Sequence, residues 1–209
     1  MLEHLPHWLG SLLRPVRAGH ARLAIVQDGI APPAARLSLT SPAFADGGRL
    51  PVRFTADGDG VSPPLMWHGV PADAAALALL VEDPDAPTPS PLVHALLWDL
   101  PPGDGALAEG AIAPDSGEDI GRNSYGAHGW LPPDPPNGHG NHDYVFQLFA
   151  LSRVPMLDEG AGRAALLDAI RGHVIDAALL TGTYSRGEEA PVGPVGTGAG
   201  AGAVAAGGG

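Results

Sequence analysis

Apolar runs of strand length dominate the middle of the chain. They are "AALALLVED" (75–83), "LVHALLWDL" (92–100) and "DYVFQLFAL" (143–151). Apolar runs of this length are typical of central strands that are covered on both faces. Two earlier segments, "RLSLT" (36–40) and "RLPVRFT" (49–55), alternate apolar with polar residues and predict half-buried strands. The pattern therefore predicts a mainly β domain.

A different period follows the last apolar run. Between about 159 and 180 the apolar residues recur at steps of three and four, which predicts a helix. The residues that carry this period are Leu166, Leu167, Ile170, Val174, Ile175, Ala178 and Leu179. Strands followed by one good helix favour an antiparallel-rich β domain with a C-terminal helix.

The segments that flank this domain differ from it in composition. Residues 1–36 are mildly basic, and leucines recur in them at helical steps that prolines interrupt. We expect this segment to be an N-terminal arm that covers part of the domain or of its dimer mate. Residues 188–209 form a Gly/Ala-rich tail with few side chains to bury, so we expect the tail to be mobile. The domain itself is then 37–187.

Composition and charge narrow the function classes. The 209 residues carry a formal net charge of −12, and such a field repels phosphate backbones, so we expect no nucleic-acid partner. The absence of cysteine excludes disulfides, thiolate nucleophiles and cysteine-ligated zinc. The sequence has no apolar run long enough to span a membrane and no signal-peptide pattern, so we expect no membrane insertion and a cytoplasmic protein.

The segment "GNHDY" (140–144) carries candidate chemistry at the start of an apolar strand. Alternate side chains of a strand share a face, so His142 and Tyr144 are predicted to point together and Asp143 to point away. A polar pair on a buried face needs partners, which other parts of the chain must supply.

Other polar residues also interrupt apolar segments. Asp83 and Asp85 flank a proline at the end of one apolar run, and His94 lies inside the next. Each has an ordinary structural explanation, because Asp-Pro-Asp is usually a turn and a single strand histidine is usually a satisfied core residue. The loop 132–144, dense in proline and glycine, delivers His142.

Taken in order, these segments resemble the phosphatidylethanolamine-binding protein family, in its bacterial Raf kinase inhibitor-like branch. The resemblance extends from near Leu37 to about Gly187. It is carried by "SPPLMWHGVP" (62–71), "DPDAP" (83–87), "LVHALLW" (92–98), "GRNSYGAHGW" (121–130), "PDPPNGHGNHDY" (133–144), "FQLFAL" (146–151) and "LLDAIRGHVIDAALLTGTYSR" (166–186). The resemblance implies a large central sheet, a smaller packed sheet and a small anion pocket at one edge.

The resemblance also implies a ligand-binding set. Its members are Asp83, His94, Pro136, Gly138, Gly140, His142 and Tyr144, with Pro136 and the glycine turn as the rim. Two histidines can donate to an anion, a carboxylate behind them fixes the tautomer, and a phenol adds a neutral donor. Three positions depart from the family pattern and bear on ligand preference, namely His68, Leu92 and Asp143.

Three functional hypotheses follow. The first is non-enzymatic binding of a small anion or phosphoryl group, such as a phospholipid headgroup, a nucleotide or a phosphorylated partner, by a homodimer that needs no cofactor. The second is inhibition of a kinase or protease through protein contact. The third is a metal-dependent hydrolase with Asp83, His94 and His142 as ligands. His139 precedes His142 by three residues, but glycines at 138 and 140 argue against a helix that would align the pair.

Overall fold

The computed structural model describes residues 11–30, 36–115 and 119–186. The first strands of these ranges are β1 (Ser38–Thr40), β2 (Gly48–Arg49), β3 (Leu65–His68), β4 (Ala76–Asp83) and β5 (Leu92–Leu100). They are followed by β6 (Gly105–Leu107), β7 (Asp119–Ile120), β8 (His142–Leu151), the helix α1 (Arg163–Ile170) and β9 (Val174–Tyr184). Short 3-10 helices occupy His20–Arg22, Ala24–Val26 and Val52–Phe54. The mainly β fold class is confirmed.

The large sheet has the strand order β2-β9-β8-β4-β5-β7. All its pairings are antiparallel except that of β2 with β9. The three apolar runs form β4, β5 and β8, and every residue of β4 is buried, so the predicted central strands are confirmed. Their continuous apolar pattern follows from the fact that both faces of the sheet are covered.

A small sheet covers one face of the large one. It has the order β1-β3-β6, and β1 is the half-buried strand that the alternation of "RLSLT" predicts. Leu39 and Trp67 from this sheet pack with Phe146 of β8 in one apolar core. Residues of β4 with odd numbers, from Leu77 to Val81, face this core.

The arm and α1 cover the opposite face. Ala24 and Ile30 pack there with Leu80 of β4 and Ile170 of α1. Glu82 is fully buried on this face, and its carboxylate accepts hydrogen bonds from the Ala24 amide, the Gln147 side chain and Arg163. A buried charge needs partners of this kind, so the arm helps to complete the second face of the sheet.

The helix predicted over 159–180 is wrong beyond Ile170. The chain turns at Gly172, whose φ of 73° suits glycine, and β9 then pairs with β8 from Val174 to Tyr184. The sequence "VIDAALLTGTY" fits a strand because its β-branched residues favour extended backbone. The spacing of its apolar residues fits both the helical and the strand period, and the long pairing with β8 selects the strand.

The strand predicted over 49–55 is also wrong for most of its length. In this part of the chain, pairing with β9 is limited to Gly48 and Arg49. Pro51 has no N–H to donate to a sheet, and it precedes the 3-10 helix Val52–Phe54.

Candidate functional site

A cavity of about 290 Å³ opens at the sheet edge where β4 ends and β5 and β8 begin. Most of its wall is apolar and rich in proline, with Pro132 and Pro136 among the lining residues. Asp83, His94 and His142 also line it. The structure therefore brings together three polar residues that the sequence places on three different strands.

The burial of the side chains in "GNHDY" tests the orientation predicted for them. His142 and Tyr144 are 1% and 0% exposed, and their rings stack at a centroid distance of 6.5 Å. Asp143 points to the other side, where its carboxylate lies 3.1 Å from the His20 ring of the arm. The predicted division of faces is confirmed.

Asp83 holds His142 from behind. Its Oδ2 lies 2.7 Å from Nδ1 of His142, and both side chains are almost fully buried. Its Oδ1 accepts the backbone amides of Asp85 at 2.7 Å and Ala86 at 3.0 Å. The turn after β4 thus fixes the carboxylate, and the carboxylate fixes the histidine ring.

The other nitrogen of His142 meets a second histidine. Its Nε2 lies 2.7 Å from Nδ1 of His139, and Nε2 of His139 lies 2.9 Å from the carbonyl oxygen of Leu13. Because a carbonyl only accepts, His139 donates to it from Nε2. The short distance between Nε2 of His142 and Nδ1 of His139 means that one of these nitrogens donates a shared proton to the other.

Burial identifies the ring of this pair that accepts the hydrogen bond. Desolvation, and then the neighbouring His142, lower the pKa of His139 below its ordinary value. A neutral His139 accepts at Nδ1, so the shared proton belongs to His142. His142 therefore donates from Nε2 to His139, and its Nδ1 lies against the Asp83 carboxylate.

His94 is aimed at the cavity by a β-bulge. Val93 and Ala95 face Glu82 and Val81 of β4, which leaves His94 as the extra residue of β5. A bulge of this kind redirects a side chain that regular alternation would place on the other face. His94 accordingly packs against Tyr144 in a T-shaped contact with a centroid distance of 5.0 Å.

The free nitrogen of His94 is an acceptor. Its Nδ1 lies 2.6 Å from the carbonyl oxygen of Leu131 and must donate to it. Burial lowers the pKa of His94, so the ring is neutral near pH 7 and Nε2 keeps its lone pair. Burial also raises the pKa of Tyr144 well above its ordinary value, so the phenol keeps its proton.

Two buried side-chain polar atoms within the described ranges have no hydrogen-bond partner. They are Nε2 of His94 and the hydroxyl oxygen of Tyr144. Leaving such a group unpaired costs about 1–3 kcal/mol. They form one acceptor and one donor on neighbouring rings.

The remaining members of the predicted set lie in different places. Pro136 lines the cavity, whereas Gly138, Gly140 and Tyr144 are not among the lining residues. The two glycines have φ values of 79° and 100°, and their turn faces the arm, with the Gly138 carbonyl 3.1 Å from Nε of Arg14. The expected donor set also differs, because His142 bonds the protein with both ring nitrogens and only His94 keeps one free.

Sequence reasoning missed the role of His139. The glycines on either side argue against a helix, yet a turn through positive φ at both glycines places the rings of His139 and His142 in contact. The three-residue spacing of the histidines was the available signal. No sequence signal pointed to the Leu13 and Leu131 carbonyls as hydrogen-bond acceptors, because any residue supplies a backbone oxygen.

The cluster that could hold a metal ion differs from the one that the hydrolase hypothesis names. In the described part of the chain, the one group of histidine and carboxylate atoms close enough to share an ion is His20, Asp85 and Asp143. Asp85 is already paired with Arg17 at 2.5 Å. The trio that the hydrolase hypothesis names does not form such a group.

Comparisons with known proteins agree with the fold. The sequence profile named "Phosphatidylethanolamine-binding protein" matches residues 40–185. A UPF0098 protein of Methanothermobacter thermautotrophicus is 42% identical over 72% of this chain and 100% of its own length. A protein of Mycobacterium tuberculosis that is named as a lipoprotein, LppC, is 41% identical over 74% of this chain and 75% of its own.

Solved structures give the same result. The crystal structure of a phosphatidylethanolamine-binding protein homolog from Chlamydia trachomatis superposes with a TM-score of 0.67 at 38% identity, covering 73% of this chain and 99% of that one. Escherichia coli YbcL, described as a new member of the mammalian family, has a TM-score of 0.68 at 29% identity, with 72% and 99% covered. In the described residues, no helix has the length and hydrophobicity needed to cross a bilayer.

Proposed function

Because the chain belongs to the phosphatidylethanolamine-binding protein family, we propose that its cavity binds a small phosphoryl anion without chemical turnover. Family membership supports a ligand-binding role in general. The observation that carries the finer proposal is the pair of unsatisfied buried atoms, Nε2 of His94 and the hydroxyl of Tyr144.

A phosphate monoester that keeps one proton matches this pair. Its P–O–H group donates to the lone pair of His94, and a charged phosphoryl oxygen accepts from the Tyr144 hydroxyl. His142 lines the same cavity, and its ring stacks against Tyr144. A nucleotide and a phosphorylated side chain are both sources of this group.

A diester is a poorer match. It has no P–O–H proton, so its oxygens would meet the lone pair of a neutral His94 rather than satisfy it. It binds only after His94 takes up a proton, which the buried site disfavours. The proposal therefore ranks monoesters above diesters.

Calorimetric titration of methyl phosphate and dimethyl phosphate tests this ranking. Methyl phosphate should bind more tightly, and its affinity should fall as pH rises above about 6, where the ligand loses its second proton. At higher pH, binding requires the uptake of one proton, so Kd should rise by about tenfold per pH unit. Equal binding of the two compounds, independent of pH, would refute the proposal.

Matched histidine variants locate the site. His94→Phe keeps a ring in the core but removes Nε2, and methyl phosphate affinity should fall about ten- to a hundredfold. His68→Ala is the control, because its side chain is 60% exposed and lies outside the cavity lining. A loss of affinity in the control that equals the loss in His94→Phe would place the ligand elsewhere.

A further inference from the structure

Residues 11–19, which we call the arm segment, contact one of the two loops that carry the cavity wall. The Leu13 carbonyl accepts from His139 at 2.9 Å. Arg14 and Arg17 donate to the carbonyls of Gly138 at 3.1 Å and Asn141 at 3.0 Å. These bonds tie the arm segment to the loop that ends in His142.

The same segment also binds the opposite loop. The amides of Ala18 and Gly19 donate to the carbonyls of Ala86 at 3.0 Å and Pro84 at 2.7 Å. Arg17 pairs with Asp85 at 2.5 Å. The turn that carries these acceptors also positions the Asp83 carboxylate, so the arm segment bridges both sides of the site.

We propose that His139 is a positioning residue that couples docking of the arm segment to anion binding in the cavity. The inference rests on the proposed function, because it concerns regulation of that same site. His139 is fully buried, and among the described residues it is the one side chain that bonds both His142 and Leu13. When the arm segment leaves, Nε2 of His139 loses its acceptor, and water reaches the His139 and His142 rings.

The direction of the coupling follows from charge. A bound anion favours positive charge on a nearby imidazole, and a more positive His139 donates more strongly to Leu13. The positive charge of Arg17 opposes this effect by lowering the pKa of His139. By linkage, the factor by which docking raises anion affinity equals the factor by which the anion stabilises docking.

Two substitutions each remove one of the two hydrogen bonds of the His139 ring and keep the other. His139→Asn places an amide oxygen near the position of Nδ1, so it still accepts from His142 but no longer reaches Leu13. His139→Gln places an amide nitrogen near the position of Nε2, so it still donates to Leu13 but no longer accepts from His142.

Hydrogen exchange at the Ala18 and Gly19 amides measures docking directly, because both amides bond across to the cavity loop. Exchange is followed with and without saturating methyl phosphate, and the affinity is measured in parallel by calorimetry. The Ile30 amide, which donates to Gln27 at 3.1 Å outside the arm segment, is the internal control.

In the parent protein, methyl phosphate should slow exchange at Ala18 and Gly19 by about 5- to 150-fold and leave Ile30 unchanged. Both variants should show a smaller change, and His139→Gln should also lose affinity. If methyl phosphate binds but exchange in the parent does not respond, the coupling is refuted while the proposed function stands. An unchanged response in both variants would refute the role of His139. If methyl phosphate does not bind, both proposals fail.

Discussion

Removing the hydroxyl of Tyr144 should stabilise the protein and weaken ligand binding at the same time. The side chain is fully buried between His94 and His142, and its hydroxyl has no partner among the described residues. Tyr144→Phe keeps the ring and its contacts but removes the unpaired group. Since an unsatisfied buried polar group costs about 1–3 kcal/mol, the free energy of unfolding should rise by a similar amount.

The binding effect has the opposite sign. A hydrogen bond to a charged oxygen contributes about 1.5–3 kcal/mol, so methyl phosphate affinity should fall about ten- to a hundredfold. Urea unfolding in phosphate-free buffer measures the first quantity, and calorimetric titration measures the second. In a protein of this size the melting temperature should shift by about 2–4 °C per kcal/mol.

Tyr184→Phe is the matched control. Tyr184 is also buried, but its hydroxyl donates to Asp57 at 2.7 Å, so its loss should destabilise the protein by about 1–3 kcal/mol and leave binding unchanged. If Tyr144→Phe loses as much stability as this control, the Tyr144 hydroxyl is satisfied in the free protein, and the reasoning about an open donor is wrong.

Three further outcomes are expected. The pKa values of His94 and His139 are lower in the folded chain than the value near 6.5 that a histidine has in an unfolded chain. As the pH drops, the unfolded chain therefore takes up protons first, and the free energy of unfolding should fall below about pH 6.5. Urea unfolding between pH 5 and 8 should show this, with a shallower slope in His94→Phe. Gly182→Ala should cost about 1–3 kcal/mol in thermal unfolding, because a Cβ there would lie 2.5 Å from Leu50, whereas Gly162→Ala meets no atom within 4 Å and serves as control. Treatment with a chelator should leave the Kd of methyl phosphate unchanged, and stoichiometric zinc whose removal abolishes binding would contradict this.

The sequence predicted the parts of the fold that local pattern controls. Uninterrupted apolar runs identified β4, β5 and β8, and strand alternation separated His142 and Tyr144 from Asp143. It did not predict β9, because the spacing of that segment satisfies two periods and pairing with a distant strand selects one. The bulge that aims His94 likewise arises only when β5 meets β4.

The site was predicted only in outline. The resemblance supplied Asp83, His94, His142 and Tyr144, which the structure gathers at one edge of the sheet. Which ring nitrogens donate and which accept depends on backbone carbonyls and on the contact with His139, and a residue pattern encodes neither. Three statements stay predictions, namely the binding role of these residues, the homodimer and the cytoplasmic location. The relative that is named as a lipoprotein bears on the predicted location.

The position of the arm has a practical consequence for anyone who clones this protein. The family profile begins at residue 40, which invites expression of a shortened chain that starts there. Such a truncation would lack the Ala24 amide that Glu82 accepts, and it would uncover the apolar face on which Ala24 and Ile30 lie. It would also lack the Leu13 carbonyl beneath His139. An affinity measured on the shortened chain would describe a different site, so a chain expressed for binding studies must include the arm from residue 11 onward.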